Sequence, residues 1–258
     1  MSNCATKADA YKQPIYALLS ALLLLAVTPS AFASSHHILP VTTLKNDTYH
    51  CNALQAKSYL SKGQSTRQHA MKCMLTQLQD YQQKNMSARQ QYFAYKAQAW
   101  LNYAIHKDSM NSRSPSGPKA EETAKSILTA LKNGTEQDLT LIQDIPSDSA
   151  LMRPDLWATL SALKESDGIA SAPREIAFSE VALIWAATNQ CERGHRESGI
   201  HFRMADRWLE QAREAYVNAH DSQTNVALEQ LIVRYYEQYA PLDASDDVCH
   251  GQALPLIR

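Results

Sequence analysis

Between Arg174 and Asn189 the chain is apolar on nearly every side. From Ile176 to Ala187 only Ser179 and Glu180 are polar, so the segment, wound as a helix, presents no solvent face. A helix apolar all round has to be enclosed by neighbours. Those twelve residues are too few to cross a bilayer, which takes about 20, so the enclosing material is protein. The segment predicts the central helix of an all-α fold. Glu180, in its middle, is the most unusual charge in the sequence.

The rest of the chain agrees with helix. Glycine is scarce, seven in 258 residues, against roughly 7% in average usage. Alanine, leucine, glutamine and glutamate fill the long segments, and these are good helix formers. Strict alternation of β-branched residues is absent, so no sheet is expected. The formal net charge is −1 and no basic face stands out, which argues against nucleic acid as a partner.

The first residues read as an export signal. Lys7 and Lys12 precede an apolar run from Ile15 to Val27, then Pro29 and Ala31-Phe32-Ala33. That order of charged, apolar and small-residue segments is a secretory signal peptide over 1–33, with cleavage expected before Ser34. Nothing later is long and apolar enough to span a membrane. The expectation is a periplasmic protein without a transmembrane segment after signal cleavage.

Four cysteines then remain: Cys51, Cys73, Cys191 and Cys249. An even number in an oxidising compartment predicts two disulfides. Three pairings are open, and local stapling of helix hairpins favours Cys51–Cys73 with Cys191–Cys249.

In order along the chain, 34–45 is an extended lead-in and 46–240 a helical domain. Asn46 or Asp47 caps a helix ending near Gly63, and Ser65 or Thr66 starts the next, with Met71, Leu75 and Leu78 inward. Ser87 caps a third helix to about Lys107, on which Phe93, Ala97, Trp100 and Ala104 keep helical spacing. The stretch 108–118 reads as a mobile loop by composition. Pro118 opens a fourth helix, stopped at Asn133-Gly134. Thr135 to Ile145 reads as a short helix, and Pro154 opens another. After the central helix, Asn189 to Glu197 reads as a polar turn. Ser198 caps a long helix with Phe202, Ala205, Leu209, Ala212 and Tyr216 on one stripe. A last helix runs from Thr224 to Tyr239, and 241–258 is an acidic tail. Antiparallel helix pairs with short loops predict an array of the tetratricopeptide (TPR-like) kind.

Three phrases carry a resemblance: Ala97-Gln98-Ala99-Trp100-Leu101-Asn102-Tyr103-Ala104, Arg153-Pro154-Asp155-Leu156-Trp157 and Ala205-Asp206-Arg207-Trp208-Leu209. In this order they resemble the helical N-terminal region of Gram-negative envelope proteins that carry an OmpA-like peptidoglycan-binding domain downstream. The resemblance covers about Ala56 to Tyr216 and rests on packing motifs. It implies a helical envelope module. It transfers no catalytic residues and, without the OmpA-like domain, no peptidoglycan binding.

Candidate chemistry is sparse. A carboxylate on an apolar helix can act as a general acid or base, or pair with an arginine of a neighbouring helix and fix register. Glu180 paired with Arg203 or Arg207 is the expected arrangement. Each mature cysteine has a histidine nearby, and His69–Cys73 and Cys191–His195 have the i,i+4 spacing that puts two ligands on one helix face. Neither belongs to a known metal-ligand set, so no metal site is assigned. Phosphate-binding, dinucleotide and nucleophile-elbow motifs are absent, and no catalytic residue or cofactor is assigned. Tyr235, Tyr236 and Tyr239 read as core or groove lining, and Arg193, Arg196, Arg203 and Arg207 as a solvated face of mixed charge. The expected function is a non-enzymatic scaffold or adaptor meeting another envelope protein. The alternative is a small-ligand or metal-binding protein that uses a groove between helix pairs.

Overall fold

The computed structural model describes residues 65–142, 144–243 and 249–255, all within one unit, Tyr49–Arg258. The expected signal peptide, lead-in and first helix, together with Cys51, lie outside these residues. The fold is all-α: α1 Thr66–Leu78, α2 Ala88–Ser109, α3 Ser116–Asn133, α4 Pro154–Glu165, α5 Gly168–Ser171, α6 Pro173–Arg193, α7 His195–Ala219 and α8 Ser222–Tyr239. No helix among the described residues is long and apolar enough to cross a membrane.

Local chemistry explains most of the starts and stops. Ser65 caps α1, and Ser87 caps α2 through a full capping box with Gln90, each satisfying backbone N–H groups that the first turn leaves open. Gly134, at φ +67°, closes α3 in the left-handed conformation that glycine adopts freely. Pro154 and Pro173 stand in the first turns of α4 and α6, where their missing N–H costs nothing.

The central segment is α6, and it is enclosed as its composition requires. Ile176, Ala177, Val181, Leu183, Ile184, Ala186 and Ala187 are all within 1% of full burial. Its neighbours are α2, α4, α5 and α7. Cross-contacts give the directions. Tyr95 meets Phe178 and Tyr103 meets Trp185, so α2 runs parallel to α6. Trp185 meets His201 and Phe178 meets Trp208, so α7 runs antiparallel to α6. On α7, Ala205, Leu209, Ala212 and Tyr216 are buried, as the stripe predicts. The pairing of α4 with α8 is not between chain neighbours: Ser161 bonds Tyr239 at 3.0 Å and Glu165 accepts from the Tyr235 hydroxyl.

Four boundaries differ from the sequence expectation. Asn189 to Glu197 is no polar turn, because α6 continues through Arg193. The break is Gly194 alone, at φ +79° and ψ −173°, a backbone region open essentially only to glycine. The helix expected over Thr135 to Ile145 reduces to a 3-10 turn, Glu136–Asp138. Of the stretch 108–118, only 110–115 lies between helices, because α3 already starts at Ser116. That connection is fastened, with Ser114 and Ser116 donating to Glu192 of α6. Finally, α8 starts at Ser222, capped by Asp221 rather than at Thr224.

The tail is built into the fold. Cys191 and Cys249 form the expected disulfide. From there Gln252 and Ile145 exchange two backbone hydrogen bonds, of 2.8 and 3.1 Å, and Gly251 N–H donates to Ser149 at 3.0 Å. Gly251 sits at φ +70°, and a Cβ there would lie 2.6 Å from the Ile145 carbonyl oxygen, so the close approach requires glycine. The bridge thereby ties the end of α6 to the irregular strap that crosses from α3 to α4. Replacing both cysteines (Cys191→Ser with Cys249→Ser) opens a crosslink spanning 58 residues of sequence. It should lower unfolding stability by about 4 kcal/mol in the chain-entropy limit, read as a reduced urea midpoint, with the m-value rising as the unfolded chain loses its crosslink.

Candidate functional site

Glu180 is fully buried and sits at the meeting of three helices. Its carboxylate takes Lys164 of α4 at 2.6 Å, Lys96 of α2 at 3.2 Å, and the hydroxyl proton of Tyr92 of α2. The expected arginine partners are not there. Arg203 and Arg207 are exposed on the outer side of α7, because the stripe facing α6 already holds Ala205, Leu209 and Ala212. The lysines do the pairing instead, and both are largely withdrawn from water, with side chains 4% and 10% exposed.

The electrostatics follow from this crowding. Burial alone would push the Glu180 carboxyl up, but Lys164 and Lys96 outweigh it and hold the group below its ordinary range. Burial pushes Lys164 down to about 8, helped by Lys96 and opposed by Glu180. Burial and the Glu180 charge keep the Tyr92 phenol well above its ordinary value. Two ammonium groups thus share one carboxylate, and the cluster carries an excess positive charge.

Lys96 also lines a groove of about 530 Å³. One wall is α2, with Phe93, Trp100 and Tyr103; the opposite wall is α3, with Ala120, Thr123 and Ile127. Ile184 and Thr188 of α6 form part of the lining, and the strap contributes Leu139, Thr140, Pro146 and Asp148. Two buried polar atoms of this lining have no hydrogen-bond partner: Trp100 Nε1 and the Tyr103 hydroxyl. Burial raises the Tyr103 pKa; Ser116 and Thr188 temper the shift, yet neither meets full hydrogen-bond geometry with the hydroxyl. The indole N–H groups of Trp157 and Trp185 are likewise unpaired, outside this groove; the groove differs in bringing two such groups, one turn apart on α2, beside Lys96.

A second cavity, about 210 Å³, lies on the other side of the cluster. Lys164 lines it with Trp157, Leu160, Tyr235 and Tyr239. Of the tyrosine cluster, Tyr235 and Tyr239 are buried there while Tyr236 is 46% exposed.

Another buried ion pair escaped the sequence reading. Lys107 of α2 is 3% exposed and donates to Asn189 at 3.1 Å and to Glu192 at 2.6 Å. Lys96 and Lys107 stand at helical spacing from Phe93, Trp100 and Ala104, as Lys164 does from Leu160. A lysine in register with an apolar stripe is the sign that could have found all three. The metal alternative fares differently. Cys191 is held in the disulfide, so it offers no thiolate beside His195, and among the described residues no three His, Cys, Asp or Glu side chains are grouped to hold an ion. Cys73 lies on α1, and its expected partner Cys51 lies outside the described residues.

Comparison with protein families, with curated proteins and with solved structures found no match to this chain.

The network sets two expectations. Glu180→Ala leaves two buried ammonium groups without a carboxylate and should destabilise by about 3–5 kcal/mol. Glu180→Gln, which keeps shape and some hydrogen bonding, should cost less, and Lys96→Met less again because the Glu180–Lys164 pair survives. Urea midpoints of the three variants give the ranking.

The second expectation concerns pH. Lys164 binds its proton more weakly folded than unfolded, at about 8 against an ordinary 10.5. Stability from this group therefore rises as pH climbs through that interval. Glu180, held low, stabilises above its ordinary 4.5 and loses that contribution as pH falls through the folded value. Unfolding measured from pH 7.5 to 10.5 should show the alkaline rise in wild type and not in Lys164→Met.

Proposed function

We propose that the chain is an exported, non-enzymatic helical module of the bacterial cell envelope that holds a ligand in the groove between α2, α3 and α6. The observation that carries the reading is the groove itself. Its volume, about 530 Å³, falls in the range of small-molecule sites, roughly 300–1,000 Å³. Its lining pairs an aromatic and aliphatic wall, Phe93, Trp100, Tyr103 and Ile184, with hydroxyl groups and the charged Lys96, Lys119, Glu122 and Asp148, a mixture of apolar body and polar anchors that ligand sites use. Export to the periplasm is supported by Ala31-Phe32-Ala33 after the apolar run, and an envelope role by the three packing phrases around Trp100, Trp157 and Trp208. The buried Glu180 serves architecture in this reading, since its hydrogen-bond partners are the two lysines and Tyr92.

The side-by-side α2–α3 and α6–α7 hairpins, with α2 parallel to α6, support a TPR-like stack of two helical pairs. Stacks of this kind bind on the concave surface that their curvature creates. A second reading, an adaptor docking another envelope protein, is favoured by α8. There Val226 and Val233, seven residues apart on one face, are 56% and 55% exposed.

Native mass spectrometry of protein purified from its own envelope tests the first reading. A bound small molecule should be retained under gentle conditions. Thr123→Trp, which places a large ring in the groove, should lose it while melting normally. The same adduct on the Thr123→Trp protein would sink the groove as its seat.

A further inference from the structure

We infer that the groove takes an anionic amphiphile: a small molecule with a flat apolar body and an oxygen-rich acid group, carboxylate or sulfonate, lodged against Lys96, Trp100 and Tyr103. The inference rests on the groove being the ligand site and adds the chemistry of the ligand. Three observations converge on it.

First, the unpaired polar atoms of the buried lining are both hydrogen donors, the Trp100 indole N–H and the Tyr103 hydroxyl. An indole N–H can only donate, so a ligand group that meets it has to be an acceptor. Second, the charge behind this wall is unbalanced. Lys96 and Lys164 share the single carboxylate of Glu180, and among the described residues no other carboxylate lies within ion-pair distance of either. At the groove's edge Lys119 and Asp148 offset one another at 3.6 Å, and Glu122 is exposed, so the unbalanced charge of the Glu180 cluster, on the Lys96 side, is positive. A charge withdrawn from water acts more strongly than one in solvent, and an anion beside Lys96 neutralises it. Third, three aromatic residues, Phe93, Trp100 and Tyr103, supply the wall, and their faces favour a flat apolar body.

The test uses two fluorescent probes that share one ring system. 8-Anilinonaphthalene-1-sulfonate carries the acid; N-phenyl-1-naphthylamine lacks it. Titrated into the full-length protein, the sulfonate should bind at least about tenfold tighter, the scale of one charge-assisted contact. Lys96→Met should bring the two affinities together by weakening the sulfonate alone, and Lys96→Arg should restore the preference. Trp100→Phe, which keeps an aromatic body and removes only the N–H, should weaken the sulfonate several-fold and spare the neutral probe; it serves equally if Lys96→Met does not fold. Equal affinities in wild type overturn the anionic assignment and leave the groove reading in place. A preference that survives both Lys96→Met and Trp100→Phe overturns the assignment too. Binding of neither probe, or of both unchanged in Thr123→Trp, overturns the groove reading and this inference with it.

Discussion

One carboxylate, Glu180, decides how the helices of this protein meet. It draws Lys96 and Tyr92 from α2 and Lys164 from α4 onto α6. Burying three such groups is favourable only where the geometry is good and the remaining polar atoms are satisfied. Each α-helix turns about 100° per residue, so a slip of α6 by one residue would carry the carboxylate away from both lysines. Apolar packing around Ala177, Val181 and Ile184 is tolerant of such slips; a buried ion network is not. The hydrophobic effect encloses α6, and Glu180 fixes its rotation.

How much of this could be read from the sequence depends on the range of the interaction. Twelve nearly continuous apolar residues announced an enclosed helix, and the charge in their middle announced a buried carboxylate. The partner assignment failed because it reasoned from chain neighbours. The helix next in sequence, α7, does pack on α6, but with its alanine and leucine stripe, which necessarily turns Arg203 and Arg207 outward. The true partners come from helices 16 and 84 residues earlier, a distance over which helical spacing carries no information. Lys96, Lys107 and Lys164 looked like solvated helix residues because lysine is usually exposed. Composition misled at the α6–α7 break too. Asn189 to Glu197 is polar, yet its polar groups serve the buried Lys107 and the chain turns at Gly194 alone.

The groove was legible only as a possibility. Its α2 wall follows from the stripe of Phe93, Ala97 and Trp100, which a reader of the sequence can draw. Its strap does not follow, because 139–153 has no period and owes its place to contacts made elsewhere. The disulfide at Cys191 holds the tail, the tail pairs Gln252 with Ile145, and Ser149 reaches the Ile184 carbonyl of α6 at 3.2 Å. Each link is short, but the chain of links joins residues more than a hundred positions apart. Gly251 marks the narrowest point, where backbone meets backbone too closely for any Cβ.

The two cavities cannot be considered apart from that central carboxylate. Lys96 lines the groove, Lys164 lines the smaller cavity, and Glu180 lies between them. Core and groove therefore share one charge balance. If the core alone had set the sequence, one lysine would neutralise Glu180; the second ammonium group also holds the carboxylate but brings a further desolvation cost. A buried charge in excess of its counterion is the kind of local conflict that folded proteins retain where a site needs it. Here the excess lies beside two unpaired donors on an aromatic wall, so the feature that costs the core is the one that the inferred acid ligand would meet.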